Sequence, residues 1–169
     1  MRLKFFFQLT IVCILFLNCK KTKTDAETIP SHIPLNASQK RVVDLAHLFS
    51  KVESDSLAYK IIQYETQTTN QIAILTINSL PKNTNIQKFG TEVGENWGIG
   101  TKEKDNGLLI TISNHDRSIA ISTGIGTEQT ISDYECNVII DSIMIPQFRT
   151  NNYYKGVDKA LDSLILLWD

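Results

Sequence analysis

Asp44, Asp105, Asn106, Asp116, Glu128 and Asp133 all lie in or beside segments that read as loops. Carboxylate and amide oxygens gathered at loops suit hard cations such as Ca²⁺ or Mg²⁺. Asp105-Asn106-Gly107 is the most suggestive stretch. It offers a carboxylate and an amide oxygen at a turn where glycine lets backbone approach an ion. The same three residues also make an ordinary turn into a strand. Arg117 and Arg149 carry the planar fork that grips phosphate or another oxyanion through paired hydrogen bonds. Each can equally serve the fold, Arg117 by pairing with a carboxylate and Arg149 by capping helix carbonyls. His32, His47 and His115 are scattered, with no His-Glu-x-x-His or Cys–His set, which argues against zinc. There is no Cys-x₅-Arg loop, Asp-x-Asp pair or Gly-x-Ser-x-Gly elbow. No catalytic nucleophile can be named, and the residues permit hydrolysis only through metal-activated water.

The elements that must position these groups are legible from periodicity. Residues 107–113 (GLLITIS) form an apolar run that fits a strand buried on both faces. Ile119, Ile121 and Thr123 alternate with Ala120 and Ser122, the period of a second strand. Asn114-His115-Asp116 between them is turn chemistry, so the two strands form a hairpin. Upstream, Ser50-Lys51-Val52-Glu53 is a capping-box pattern. Leu57, Ile61 and Tyr64 follow it as one stripe of a helix reaching about Thr69. Residues 71–77 (QIAILTI) read as a buried strand, and Ile86, Phe89, Val93 and Trp97 as the apolar face of a second helix. Gly90 and Gly94 on that helix imply close packing on a sheet. Ser132 to Glu135 forms another capping box, opening a helix that Pro146 limits. A last helix runs from about Asn152 to Trp168.

Several of these segments resemble motifs of one known family, the TPM domain. Val42-Val43-Asp44-Leu45-Ala46-His47-Leu48-Phe49-Ser50 is similar to the family's opening pattern. Trp97-Gly98-Ile99-Gly100, Lys102 to Gly107, Asp116-Arg117 and Gly124 to Glu128 follow in the family's order. Ile145-Pro146-Gln147-Phe148-Arg149 with Tyr153 and Gly156 is similar to its closing pattern. The family includes thylakoid acid phosphatase-like proteins of photosystem II repair and many bacterial envelope proteins. The resemblance implies a Rossmann-like domain with a divalent cation in a loop crevice, and it carries a phosphatase label. The element order agrees, predicting an α/β fold: a three-layer α/β/α sandwich with a small mixed sheet of at least three strands. The connection from 71–77 through a helix to 107–113 should be a parallel crossover. Gly98, Gly100 and Gly107 precede a strand, whereas a dinucleotide fingerprint follows one, so no nucleotide cofactor is expected.

Geometry restricts which side chains can share an ion. At about 3.3 Å per residue, the ends of strand 107–113 lie about 20 Å apart. One end would gather Asp105, Asn106, Glu128 and Asp133, the other Asp116, Arg117 and Asp44. The rule for open α/β sheets favours the carboxyl ends of parallel strands, whereas the density of family motif favours the Asp105 end. Both stay open on sequence grounds.

The remaining features concern placement in the cell. Arg2 and Lys4 precede an apolar run from Phe5 to Leu17, shorter than the roughly 20 residues of a membrane span and typical of a signal-peptide core. The run ends at Asn18-Cys19-Lys20, which resembles a bacterial lipoprotein signal in which the Cys19 thiol is lipidated. The expected organisation is a signal peptide over 1–18, a flexible tether over 19–40 and a TPM-like domain over 41–169. The tether's Lys, Thr, Ser, Asn and Pro have no period. Processing would leave Cys136 alone, so no internal disulfide is expected. With 169 residues, 42% apolar content and a net charge of −1, the chain suits one domain and lacks a nucleic-acid footprint. The expected setting is the cell envelope, periplasm-facing or at the surface. The expected partners are the membrane, through the lipid on Cys19, and a membrane protein. The expected role is cation binding with an accessory part in membrane-protein maintenance or assembly. The alternatives are a metal-dependent acid phosphatase and a metal-free protein-binding module.

Overall fold

A computed structural model describes residues 30–168. Its four strands form one sheet in sequence order: β1 (Val42–Asp44), β2 (Gln71–Ile77), β3 (Gly107–Ser113) and β4 (Ser118–Thr123). The first three are parallel, and β4 returns antiparallel to β3 with Ile110 opposite Ile121. The helices are α1 (Lys51–Thr68), α2 (Ile86–Trp97), α3 (Ile125–Glu128), α4 (Asp133–Ile139), α5 (Ile145–Phe148) and α6 (Tyr153–Trp168). Side chains alternate across a strand, and two apolar cores follow from that. Ile72, Ile74, Leu108, Ile110 and Ile121 pack with α1, α4 and α6. Ala73, Leu75, Ile77 and Leu109 pack with Phe89 and Val93 of α2. This is the expected mixed sheet flanked by helices. All of β3 is buried, as its unbroken apolar run implies.

Local chemistry sets the helix ends. Ser50 and Ser132 both close reciprocal capping boxes, with Glu53 and Glu135. Charges join elements as well: Arg41 grips Glu65 through two bonds of 2.6 Å, tying the lead into β1 to α1. Lys60 of α1 bridges Asp158 and Asp162 of α6.

Three features depart from the sequence expectation. Strand β1 has only three residues, too few to show a period, yet its backbone completes the sheet edge beside β2. Pro146 does not end the helix. Because proline has no N–H, the carbonyl of Ser142 loses its α-helical donor. A π-helical turn over Ile140–Met144 precedes it, with the Ile145 N–H bonded to the Ile140 carbonyl, and helix resumes through Phe148. Within the last part of the expected tether, residues 32–34 lie against α2. Ile33 is 4% exposed in the α2-side core, and Trp97 Nε1 donates to the Pro34 carbonyl at 2.7 Å. The signal-peptide and Cys19 expectations fall outside the described residues.

One device positions the loops at the amino end of β3. A Cβ on Gly126 would sit 1.8 Å from the Lys104 carbonyl oxygen, and one on Gly124 would sit 2.2 Å from that of Asp105. A Cβ on Gly107 would sit 2.2 Å from the Ile99 carbonyl oxygen. Segments 98–101, 104–107 and 124–126 are therefore laminated backbone on backbone. On α2, Gly90 faces Ser122 and Thr111 of the sheet at distances a Cβ would violate, whereas Gly94 has nothing within 4 Å. Gly126→Ala should thus destabilise the domain by about 3 kcal/mol through overpacking. Gly94→Ala should stabilise it by about 0.5–1 kcal/mol through helix propensity. Urea unfolding of the two variants checks both signs.

Candidate functional site

The laminated loops form one wall of a groove of about 550 Å³ beside α2. Glu95 from the last turn of α2, Asp105, Glu128 and Asp133 line it, with Lys102 as its basic member. None of these four carboxylates has a hydrogen bond or ion pair among the described residues. Three of them, Asp105, Glu128 and Asp133, belong to the set the sequence assigns to this end of β3. Glu95 is the addition. Its signal is its place just before the Trp97-Gly98-Ile99-Gly100 turn, on the polar side of an otherwise readable helix. Among the described residues, no three His, Cys, Asp or Glu side chains stand close enough to form a preassembled metal cluster.

Asn106 sits beside the groove but is committed to the loop. Its Oδ1 accepts from the Thr101 N–H at 3.0 Å and from the Thr101 hydroxyl at 3.3 Å. Its Nδ2 donates to the Thr69 carbonyl at 3.0 Å and to Asn70 Oδ1 at 3.1 Å. Both lone pairs and both N–H groups are used, and the residue is 5% exposed.

The carboxyl end of the sheet is organised differently. Asp44 accepts from the Leu48 and Phe49 N–H groups at 3.0 and 2.9 Å and from the Thr76 hydroxyl, fixing the loop between β1 and α1. Asp116 accepts from the Ser113 hydroxyl at 2.6 Å and the Leu80 N–H at 2.7 Å. Those two bonds favour its charged form and hold its carboxyl below the usual 3.8. Arg117 leaves the same turn in another direction. It lines a cavity of about 740 Å³ together with Arg149 from the joint between α5 and α6. Sequence reasoning puts Asp44, Asp116 and Arg117 in one group. The structure gives each carboxylate its own backbone partners and places Arg117 and Arg149 on the lining of one cavity.

Residues 42–166 match the profile of the TPM domain. The chain belongs to the TPM domain family. No curated protein matches it. Among solved structures it is similar to the N-terminal domain of a P. gingivalis protein, with 25% identity and a TM-score of 0.71, covering 80% of this chain and 87% of that one. It is also similar to a protein from the psychrophilic bacterium Bizionia argentinensis, with 16% identity and a TM-score of 0.61 over 72% of this chain and 86% of that one. The N-terminal domain of a Corynebacterium glutamicum protein gives 13% and 0.61, over 84% and 88%. The last two likenesses concern the fold alone.

The motifs of this TPM domain have structural explanations. Gly107, Gly124 and Gly126 permit the lamination described above. Gly156 leaves room for Phe148, whose ring a Cβ there would meet at 2.6 Å. Phe148 packs on Tyr153 with ring centroids 4.8 Å apart, and the Tyr153 hydroxyl donates to Asn114 Oδ1 at 3.1 Å. The closing motif thereby anchors the α5–α6 joint to the β3–β4 turn. Cys136 is a core residue: burial first, then Asp133, Glu135 and Glu128, pushes its thiol up to about 11.

The Cys136 thiol should resist alkylation at pH 8 in a C13S/C19S background and react fully once guanidinium unfolds the chain, because the thiolate is the nucleophile. For Asp116 the folded state favours the carboxylate, so its stabilising contribution is present above the usual carboxyl value and lost as pH falls through the lowered one. The gap in melting temperature between wild type and Asp116→Asn should be widest near pH 6. It should close as the pH drops below 3.8.

Proposed function

We propose that this TPM-domain protein binds a divalent cation, Ca²⁺ or Mg²⁺, in the groove of Glu95, Asp105, Glu128 and Asp133, as a lipid-anchored accessory protein of the cell envelope. The observation that carries this reading is the unpaired state, among the described residues, of all four carboxylates around one groove. Their chemistry fits a hard cation, which takes oxygen ligands in flexible number and geometry. Because no three converge, side-chain rotation and water must complete the shell. That favours weak binding, in the range of about 10⁻⁴–10⁻³ M typical of extracellular Ca²⁺ modules. The anchoring part rests on Arg2, Lys4, the apolar run and Cys19. A membrane-protein partner and a maintenance or assembly role rest on the family resemblance alone.

A metal-dependent phosphatase fits the geometry less well. The seven residues of β3 separate the acidic groove from Arg117 and Arg149 by roughly 20 Å at about 3.3 Å per residue. A cation in the groove and a phosphate held by the arginines would not meet.

The test is a titration of chelator-stripped protein with Ca²⁺ and Mg²⁺, followed by amide NMR. Saturable shifts confined to residues 95–107 and 124–133 are expected, weakened several-fold in Asp105→Asn and Glu128→Gln. An unchanged spectrum at about 10 mM cation would remove the ion and leave the protein-binding module as the reading.

A further inference from the structure

The chain enters the domain along α2. His32 Nε2 lies 3.1 Å from Glu92 Oε2, Ile33 joins the core that holds Phe89 and Val93, and Trp97 Nε1 donates to the Pro34 carbonyl. These contacts make residues 32–34 a strap across the helix, and a bond of 2.9 Å from the Ile33 N–H to the Pro30 carbonyl turns the chain just before it. Glu92 and Glu95 stand at i, i+3 on α2, about 5–6 Å apart, and Glu95 lines the acidic groove. The strap therefore delivers the preceding chain to within one helical turn of the groove.

That groove is short of positive charge. Lys102 alone faces its four carboxylates, because Lys104 is turned to the Thr69 hydroxyl at 3.0 Å. Ile99, Leu108 and Ile125 add an apolar wall. Ahead of the strap the sequence holds three lysines in four residues, Lys20, Lys21 and Lys23, with the acids Asp25 and Glu27 set between them and the strap. The nine residues from Thr24 to His32 can span up to about 30 Å, at about 3.3 Å each. The lysine run thus reaches the groove with slack.

We propose that Lys20, Lys21 and Lys23 dock in the groove of Glu95, Asp105, Glu128 and Asp133 and hold it until a divalent cation displaces them. Charge complementarity and reach both select this segment. Each ammonium offers three donors to carboxylates, and each methylene stem can lie along the apolar wall while its charge stays at the rim. A ligand tied by a short segment acts at an effective concentration in about the millimolar range, so individually weak ion pairs suffice. The displacement rests on the cation reading above, whereas the docking stands without it. Release of the lysines by the ion would free the span between Cys19 and the strap, so the cation would set how far the domain stands from its proposed anchor.

Paramagnetic NMR on the full-length chain tests this. The C13S protein, in non-ionic detergent with chelator, carries a nitroxide on Cys19, while Cys136 stays buried and unlabelled. Amides of residues 95–107 and 124–133 should broaden, and those of 114–117 at the other end of β3 should not. The broadening should fall several-fold in K20Q/K21Q/K23Q, and likewise in about 1 M NaCl, where charges are screened beyond about 3 Å. Ca²⁺ at about 10 mM should release it, and the triple variant should bind Ca²⁺ several-fold more tightly than the lysine-bearing chain. Broadening that is absent, that survives the triple substitution, or that persists with Ca²⁺ bound overturns the proposal. So does broadening that arises only between spin-labelled and isotope-labelled copies in a mixture, which would assign the lysines to a neighbouring molecule. Lysine-dependent broadening in a protein whose triple variant shows no Ca²⁺ shifts would keep the docking and sink the cation reading alone.

Discussion

Backbone lying directly on backbone is the constraint on which the amino end of this molecule depends. Segments 98–101, 104–107 and 124–126 approach so closely that the Cβ positions of Gly107, Gly124 and Gly126 are already occupied by carbonyl groups. Nothing larger than hydrogen fits. The lamination fixes where β3 begins and where β4 ends. Asn106 seals it from within by spending all its hydrogen-bonding capacity on Thr69, Asn70 and Thr101. Thr127 adds a bond from its hydroxyl to the Gly107 carbonyl at 3.0 Å. The acidic groove inherits its shape from this packing, because Asp105 lies on a laminated segment and Glu128 ends the short helix that begins in another.

The two ends of β3 consequently differ in charge. At the amino end, four carboxylates without partners among the described residues surround a groove whose walls are backbone. At the carboxyl end, the acids are consumed by N–H and hydroxyl donors, and the charges facing the cavity are Arg117 and Arg149. A buried strand of seven residues insulates one from the other.

Much of the fold is legible in the amino-acid pattern. The β2 and β3 boundaries, the 114–117 turn and both capping boxes follow from local pattern, since hydrophobic period and capping are properties of neighbouring residues. Local pattern misleads where the decisive partner is distant. Three-residue β1 exists only because β2 offers an edge. Ile33 is buried only because α2 lies beneath it. Helix persists through Pro146 because a π-helical turn precedes it and α6 packs alongside.

For the site, residue type carries the sequence reading and partners carry the outcome. Asp44, Asn106, Asp116 and Asp105 look alike in a sequence: polar side chains at turns, all able to ligate. The sequence by itself determined that Asp105, Asn106 and Asp116 flank one buried strand, because turn residues must flank an apolar run. Tertiary structure decided which of them keep their oxygens free. Thr76 reaches Asp44, Leu80 reaches Asp116 and Thr69 reaches Asn106, each from more than thirty residues away. Desolvated or turn-bound oxygens take the donors nearest in space, and that proximity is set by the packed sheet rather than by the order of the chain.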